Sequence, residues 1–176
     1  MTLETLTDIV DRSLKWLLVG LMAVAVLNVL WQVFTRFFID APSGFTEELA
    51  RYLLIWIGIV GSAYAVGTRS HLALELLPER LDGRRLHQLR IVIEVCVLTF
   101  ALLVMVFGGV RLVYVLLAAG QTSPSLGILV GYVYSAVPLS GLIIVFYTVV
   151  HIREEVRTLA RHSDDESSPD ASSTGA

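Results

Sequence analysis

The chain is poor in charge. Asp, Glu, Lys and Arg make up 16% of its 176 residues, where a soluble domain carries about a quarter. With 55% hydrophobic residues and a mean hydropathy of +0.72, an ordinary water-soluble globule is excluded. The length fits one domain. There is a single cysteine, Cys96, so no internal disulfide can form, and its apolar surroundings suggest a small packing side chain rather than a reactive thiol. The four histidines, His71, His87, His151 and His162, lack metal-ligand spacing. No phosphate-cradling glycine loop and no Ser/His/Asp arrangement is present. Nothing supports an enzyme, a cofactor bound by this chain, or a nucleic-acid partner. The net charge of -3 says little, because the acids gather towards the two ends. No internal repeat appears, so the inverted-repeat plan of many self-sufficient transporters is missing too.

What is present is long apolar runs. Four of them approach or exceed the ~20 residues a bilayer-crossing helix needs: about Trp16 to Phe38, Leu49 to Val66, Ile91 to Leu117, and Gly131 to Val150. They do not alternate as barrel strands do, so helices are the remaining way to satisfy the backbone in lipid. The expected fold is an all-α integral membrane protein with four transmembrane helices. Its parts are an N-terminal segment (1–13), a four-helix membrane domain (14–152) and a mostly disordered tail (153–176). The first run follows Glu4, Asp8 and Asp11 as well as Arg12 and Lys15. With its long apolar core it reads as a retained span, not a cleavable signal.

Basic residues set the expected topology. Arg69, Arg80, Arg84, Arg85 and Arg90 lie between spans 2 and 3; Arg153, Arg157 and Arg161 follow span 4; Arg12 and Lys15 precede span 1. The link between spans 3 and 4, "AAGQTSPSLGILV", has no charge. The positive-inside rule then places both termini and the 2–3 link in the cytoplasm. Within that link, Leu72, Leu74, Leu76, Leu77 and Leu81 mix with charges on both sides, which suggests a short amphipathic helix at the inner interface, a plain basic loop being the alternative. The closing "SDDESSPDASSTGA" is too polar to bury a core.

Polar residues inside the spans are the candidate contact sites. Asn28, Gln32 and Arg36 recur every four residues and so share one helix face. Their expected role is packing against a neighbouring helix, with Arg36 as a boundary anchor. Span 2 opens with "TEELARYLLIW". Thr46 can cap the helix, and Glu47 and Glu48 suit its first turn. Arg51 can pair with either acid. Arg36 should lie at the same depth, giving a self-neutralising cluster of Arg36, Glu47, Glu48 and Arg51, facing protein rather than lipid. Gly58, Gly61, Ser62 and Ala65 are small enough for close helix approach. Arg90 and Glu94 are neighbours of opposite sign in span 3, and Pro138 and Gly141 predict a kink in span 4.

Three stretches carry a family likeness: "GFTEELARYLLIWIGIVGSAYAV", "GTRSHLALELLP" and "GQTSPSLGILVGYVYSAVPLSG". Their order and spacing, over about Leu14 to His151, resemble the small membrane subunit of tripartite ATP-independent periplasmic (TRAP) transporters, the DctQ-like proteins. Two departures are Phe45 where an aromatic, usually Trp, precedes the acidic pair, and Leu129 after Ile128 where a Pro often stands. The resemblance implies a non-catalytic scaffold, or stator, for a large membrane subunit that carries the substrate and sodium sites. It further implies an organic acid substrate, with a carboxylate foremost, and a part in docking a periplasmic substrate-binding protein. The location would be the bacterial inner membrane. Asn28, Gln32, Arg36, Glu47, Glu48, Arg51 and Trp56 are then candidates for partner-subunit or inter-helix contacts, and Gln121, Ser123 and Pro124 for the periplasmic link. The other reading left open is a self-sufficient, homo-oligomeric channel or transporter.

Overall fold

The computed structural model describes residues 3–39, 44–68 and 84–166. Among the described residues, six α-helices build four membrane-length spans. Span 1 is α1 (Leu3–Phe34), prolonged by a π-helical turn at Thr35–Ile39. Span 2 is α2 (Gly44–Gly67). Span 3 is α3 (Arg84–Phe100), a π-helical stretch (Ala101–Gly108) and α4 (Gly109–Ala118). Span 4 is α5 (Val130–Tyr134) and α6 (Ala136–Glu166). All four are long and apolar enough to cross a membrane, as expected from the sequence. The amphipathic helix expected between spans 2 and 3 falls largely outside the described residues.

Two boundaries differ from expectation. The helix of span 1 begins at Leu3, so the segment expected to precede the membrane domain is part of the first helix. Likewise α6 continues to Glu166, well into the tail expected to be disordered. Arg153, Glu154, Arg157 and Leu159 are good helix formers, and a helix already nucleated in the membrane extends at little cost.

Span 4 is broken where a proline dictates. Pro138 has no N–H to offer the carbonyl of Tyr134 four residues earlier, and the helix is interrupted at Ser135, between α5 and α6. The Ser135 hydroxyl donates to the Tyr132 carbonyl (2.6 Å) at the break.

The spans do not close into a symmetric bundle. Span 1 packs on span 2, span 2 on span 4, and span 4 on span 3. The result is a bent row in the order 1–2–4–3, with spans 1 and 3 at its edges. Spans 2 and 4 are the inner members, and Ser140, Tyr147 and Thr148 of span 4 are fully enclosed. Tyr147 packs with Leu14 and Val60; Ile144 packs with Ala63 and Ala101. The edge spans expose most of their apolar side chains, among them Trp16, Leu27, Leu30, Leu103 and Phe107.

Close approach uses particular glycines. A methyl at Gly67 would stand 2.6 Å from the Tyr147 ring, one at Gly131 2.7 Å from Leu117, and one at Gly141 2.8 Å from Met105. Of the small residues singled out in span 2, Gly58 and Ser62 face outward and Gly61 only grazes Leu18 at 3.9 Å. Ala65 is half-buried, and the fully buried small residue is Ala63. The stripe is offset because α2 turns its tight face towards span 4, not span 1.

Candidate functional site

The helices have two ends. Lys15, Gly67 and Arg90 lie towards the end that carries both termini; Arg36, Thr46 and the 3–4 link lie towards the other, here called the link end. The main polar structure of the link end is a clasp on Glu48.

The clasp follows from local chain geometry. Helix α4 ends in a Schellman turn: Gly120 adopts φ +61°, its N–H bonds the Leu117 carbonyl, and the Gln121 N–H bonds that of Leu116. The chain then doubles back as a small closed loop. Ser123 N–H donates to the Ile128 carbonyl (2.8 Å), Val130 N–H to that of Gln121 (2.9 Å), and Gly127, at φ +66°, turns the corner. Thr122 and Leu129 sit opposite each other across this loop.

Glu48 projects from the first turns of α2 into that loop. Its Oε2 accepts from the Ser123 hydroxyl at 2.5 Å, from the Ser125 N–H at 2.9 Å and from the Leu126 N–H at 3.1 Å. The Ser123 oxygen in turn accepts from the Leu126 N–H at 3.2 Å. Glu48 and Ser123 are both buried. Gly44 lets the loop close in, since a methyl there would stand 3.0 Å from the Ser125 hydroxyl. Three neutral donors thus satisfy one oxygen of the carboxylate without a cation. Gln121 and Pro124 are exposed on the loop's surface.

The expected four-charge cluster does not assemble. Arg51 pairs with Glu47 at 3.4 Å, and both side chains are largely exposed. Glu48 is taken by the loop. Arg36 is exposed and lies beyond the start of α2. The Asn28 side chain donates to the Thr46 carbonyl at 2.8 Å, which puts Asn28 level with Thr46; Arg36, eight positions further, stands roughly 12 Å beyond. Span 1 is longer than span 2, and depth judged from apolar run lengths alone missed the stagger. Along the same face Asn28 is buried, Gln32 half-buried and Arg36 exposed, so contact with span 2 fades towards the tip. The Thr35 hydroxyl donates to the Gln32 carbonyl (3.0 Å). Trp56 is half-buried beside Val60, Leu14 and Tyr147, in the core rather than at the link end.

A second polar seam lies at the terminal end, between spans 3 and 4. Arg90 and Glu94 do not meet each other; they reach across. Arg90 pairs with Glu155 at 3.4 Å, and Glu94 lies 3.3 Å from Nδ1 of His151. On antiparallel helices these two rungs are one turn apart. Beside them the Tyr147 hydroxyl donates to Asp11 of span 1, tying the first and last spans together. Sequence reading named none of these cross-helix pairs. The available signal was the matching four-residue spacing of Arg90/Glu94 and His151/Glu155. Cys96 is exposed on span 3.

Both structures tie helices together; neither offers a reacting constellation. The sequence matches the family described as "Tripartite ATP-independent periplasmic transporters, DctQ component" over residues 17–158. It is 31% identical over 108 residues to the sialic acid TRAP transporter small permease protein SiaQ of Vibrio cholerae, covering 61% of this chain and 62% of that one. It is 32% identical over 100 residues to the isethionate TRAP transporter permease protein DctMQ of Oleidesulfovibrio alaskensis, covering 57% of this chain and 16% of that one. A putative TRAP transporter small permease protein of Haemophilus influenzae is 25% identical over 79 residues, covering 45% of this chain and 49% of that one. The matched regions thus span less than two thirds of the length of each relative. Four membrane-length helices and a match over most of their extent place this chain in the DctQ-component family of TRAP transporters.

Proposed function

We propose that the chain is the small permease subunit of a TRAP transporter for an organic acid, and that it works as a fixed scaffold for a large membrane subunit. The family is one of transporter components, not enzymes. The observation that carries the scaffold role is the state of Glu48. It is the buried carboxylate of the link end, and its hydrogen bonds are satisfied by the chain's own loop. A group so occupied serves as a brace, not as a stepping-stone for a solute.

The relatives support the assembly. The DctMQ permease contains a region like this chain within a much longer protein, of which the match covers 16%, so the small component and a larger one operate as a unit there. The named substrates of the relatives, sialic acid and isethionate, are both organic acids; a carboxylate is the class proposed here. Sodium is assigned to the large partner, and the clasped loop, with exposed Gln121 and Pro124, is the surface nearest a periplasmic binding protein. Both termini are placed in the cytoplasm of a bacterium, with the spans in its inner membrane. The self-sufficient channel fits less well, since Arg36, Glu48 and Arg51 share no common path.

The test is co-purification from native membranes in mild detergent. A large multi-span protein should accompany the tagged chain, and its deletion should abolish sodium-dependent uptake of the organic acid. The scaffold reading fails if no such partner appears and uptake survives loss of this chain. A reporter active only in the periplasm, fused after Arg161, should be silent.

A further inference from the structure

The edge spans carry the same mark at different heights. Lys15 and Arg36 bracket the apolar part of span 1, and Arg90 and Arg111 bracket that of span 3. Each pair is 21 positions apart, roughly 31 Å at 1.5 Å per residue, close to the ~30 Å hydrocarbon thickness of a bilayer. Each edge span therefore fits the membrane once, between its own basic pair.

The packing fixes how these two intervals are offset. Asn28 meets Thr46, and Leu18 lies against Gly61, which sets span 1 against span 2. Gly67 against Tyr147, and Ala63 with Ile144, set span 2 against span 4. Arg90 with Glu155, Met105 with Gly141, Gly109 with Pro138 and Leu117 with Gly131 set span 4 against span 3. Carried across the row, Arg111 comes level with about position 21 of span 1, and Arg90 falls below its first residue. The offset is about 15 positions at both ends, roughly 22 Å. Between the edges the markers step in the same direction: Arg51 of span 2 stands lower than Arg36, and Arg111 lower than Arg51.

A membrane plane perpendicular to the helices cannot accommodate this. Any ~30 Å slab drawn that way brings an exposed Lys or Arg of one edge, Lys15 or Arg111, towards the hydrocarbon centre, where a charged side chain is costly. A slanted plane leaves every one of these cations at a surface. Three interaxial steps of roughly 9 Å make the bent row at most about 27 Å wide, so an offset of about 22 Å corresponds to a slope of at least roughly 40°.

We propose that the row sits in the bilayer leaning along its own long direction by at least roughly 40°, its lipid-contacting belt running obliquely from the Lys15–Arg36 interval of span 1 to the Arg90–Arg111 interval of span 3. The partner recognised by this belt is the lipid bilayer itself. Exposed Trp16 then lies beside Lys15 at one interface, the level that tryptophan favours. The Glu48 clasp falls at the opposite interface, where Arg51 marks the boundary of span 2.

The proposal predicts depth, and does not depend on which solute the complex carries. In the full-length chain with its partner subunit, in lipid nanodiscs, Cys96→Ser removes the native thiol. Spin labels are then placed singly at Val26→Cys, Phe100→Cys and Val115→Cys, all exposed positions. With a leaning row, Val26 and Phe100 are both central, showing high oxygen and low nickel-chelate collision, and Val115 is interfacial. An upright row puts Val26 and Val115 at equal depth, and that result overturns the proposal. A second measurement avoids new cysteines. With Trp31→Phe and Trp56→Phe, fluorescence of Trp16 should be quenched more by bromines near the headgroup than by bromines near the acyl-chain ends; the reverse order also overturns it.

Discussion

The carboxylate of Glu48 lies 2.5 Å from the hydroxyl of Ser123, 75 residues further along the chain. Through this contact the start of span 2 holds the turn between spans 3 and 4. Ser125 and Leu126 N–H groups complete the hold, and removing the carboxylate leaves those donors without their acceptor, a defect more costly than the bond itself. Glu48→Ala should release the loop. Amide hydrogen exchange at Ser125 and Leu126 should accelerate at least tenfold, while the amides of α6 are unchanged. Ser123→Ala should give a smaller acceleration at the same two amides. Unaltered exchange in Glu48→Ala would mean that the loop holds its shape unaided.

Arg51 provides the contrast. Its partner Glu47 is one helical turn away, and both are exposed; such pairs contribute about 0–1 kcal/mol. Arg51→Gln should leave the thermal midpoint of the purified chain within about 2 °C of the parent, as expected for a shift below about 0.5 kcal/mol. Loss of the large partner on co-purification, with stability intact, would place Arg51 in the subunit interface.

Gly67 lies flat against the Tyr147 ring, with only 2.6 Å available to a methyl group. Tyr147 is fully buried and hydrogen-bonded to Asp11, so the ring has little freedom to retreat. Gly67→Ala should destabilise by about 1–3 kcal/mol, the range for over-packing a filled core. Gly58→Ala meets open space and should be neutral or slightly stabilising in the isolated chain. Equal melting temperatures for the two variants would contradict the packing described.

Arg90 and Glu155 join spans 3 and 4 at 3.4 Å. Reversing one charge opposes like signs in a partly buried seam. Arg90→Glu and Glu155→Arg should each lower stability, and the double exchange should recover part of the loss, with a coupling of about 0.5–3 kcal/mol in a double-mutant cycle. Additive single effects would show that the pair does not interact.

Much of the fold was legible because the bilayer imposes a length and an apolar composition on each span. Run lengths therefore located four helices without knowledge of their packing. The seams were harder. Arg90 and Glu94 stand one turn apart on one helix, and the sequence alone favours pairing them together; only the antiparallel neighbour reveals Glu155 and His151 as the partners. The sequence marks Glu48 as a charge that needs shelter and offers Arg36 and Arg51 as nearby cations. The uncharged loop supplied a hydroxyl and two backbone N–H groups instead, and backbone donors leave no trace in residue identity. The Arg36 error has a similar origin, since depth in a staggered row depends on inter-helix register, which run lengths do not encode.

The order of the row has a consequence for biogenesis. The spans leave the ribosome as 1, 2, 3, 4 but settle as 1–2–4–3, with the last-made span between the second and third. Spans 1 and 2 can join as a hairpin as soon as both are inserted. Span 3 has no such early mate: its main seam, with Met105 at Gly141 and Pro138 at Gly109, requires span 4. Until translation passes Glu155, Arg90 also lacks the acid it pairs with. A chain arrested after span 3 would therefore hold one completed hairpin and one solitary helix, the form most open to quality-control proteolysis.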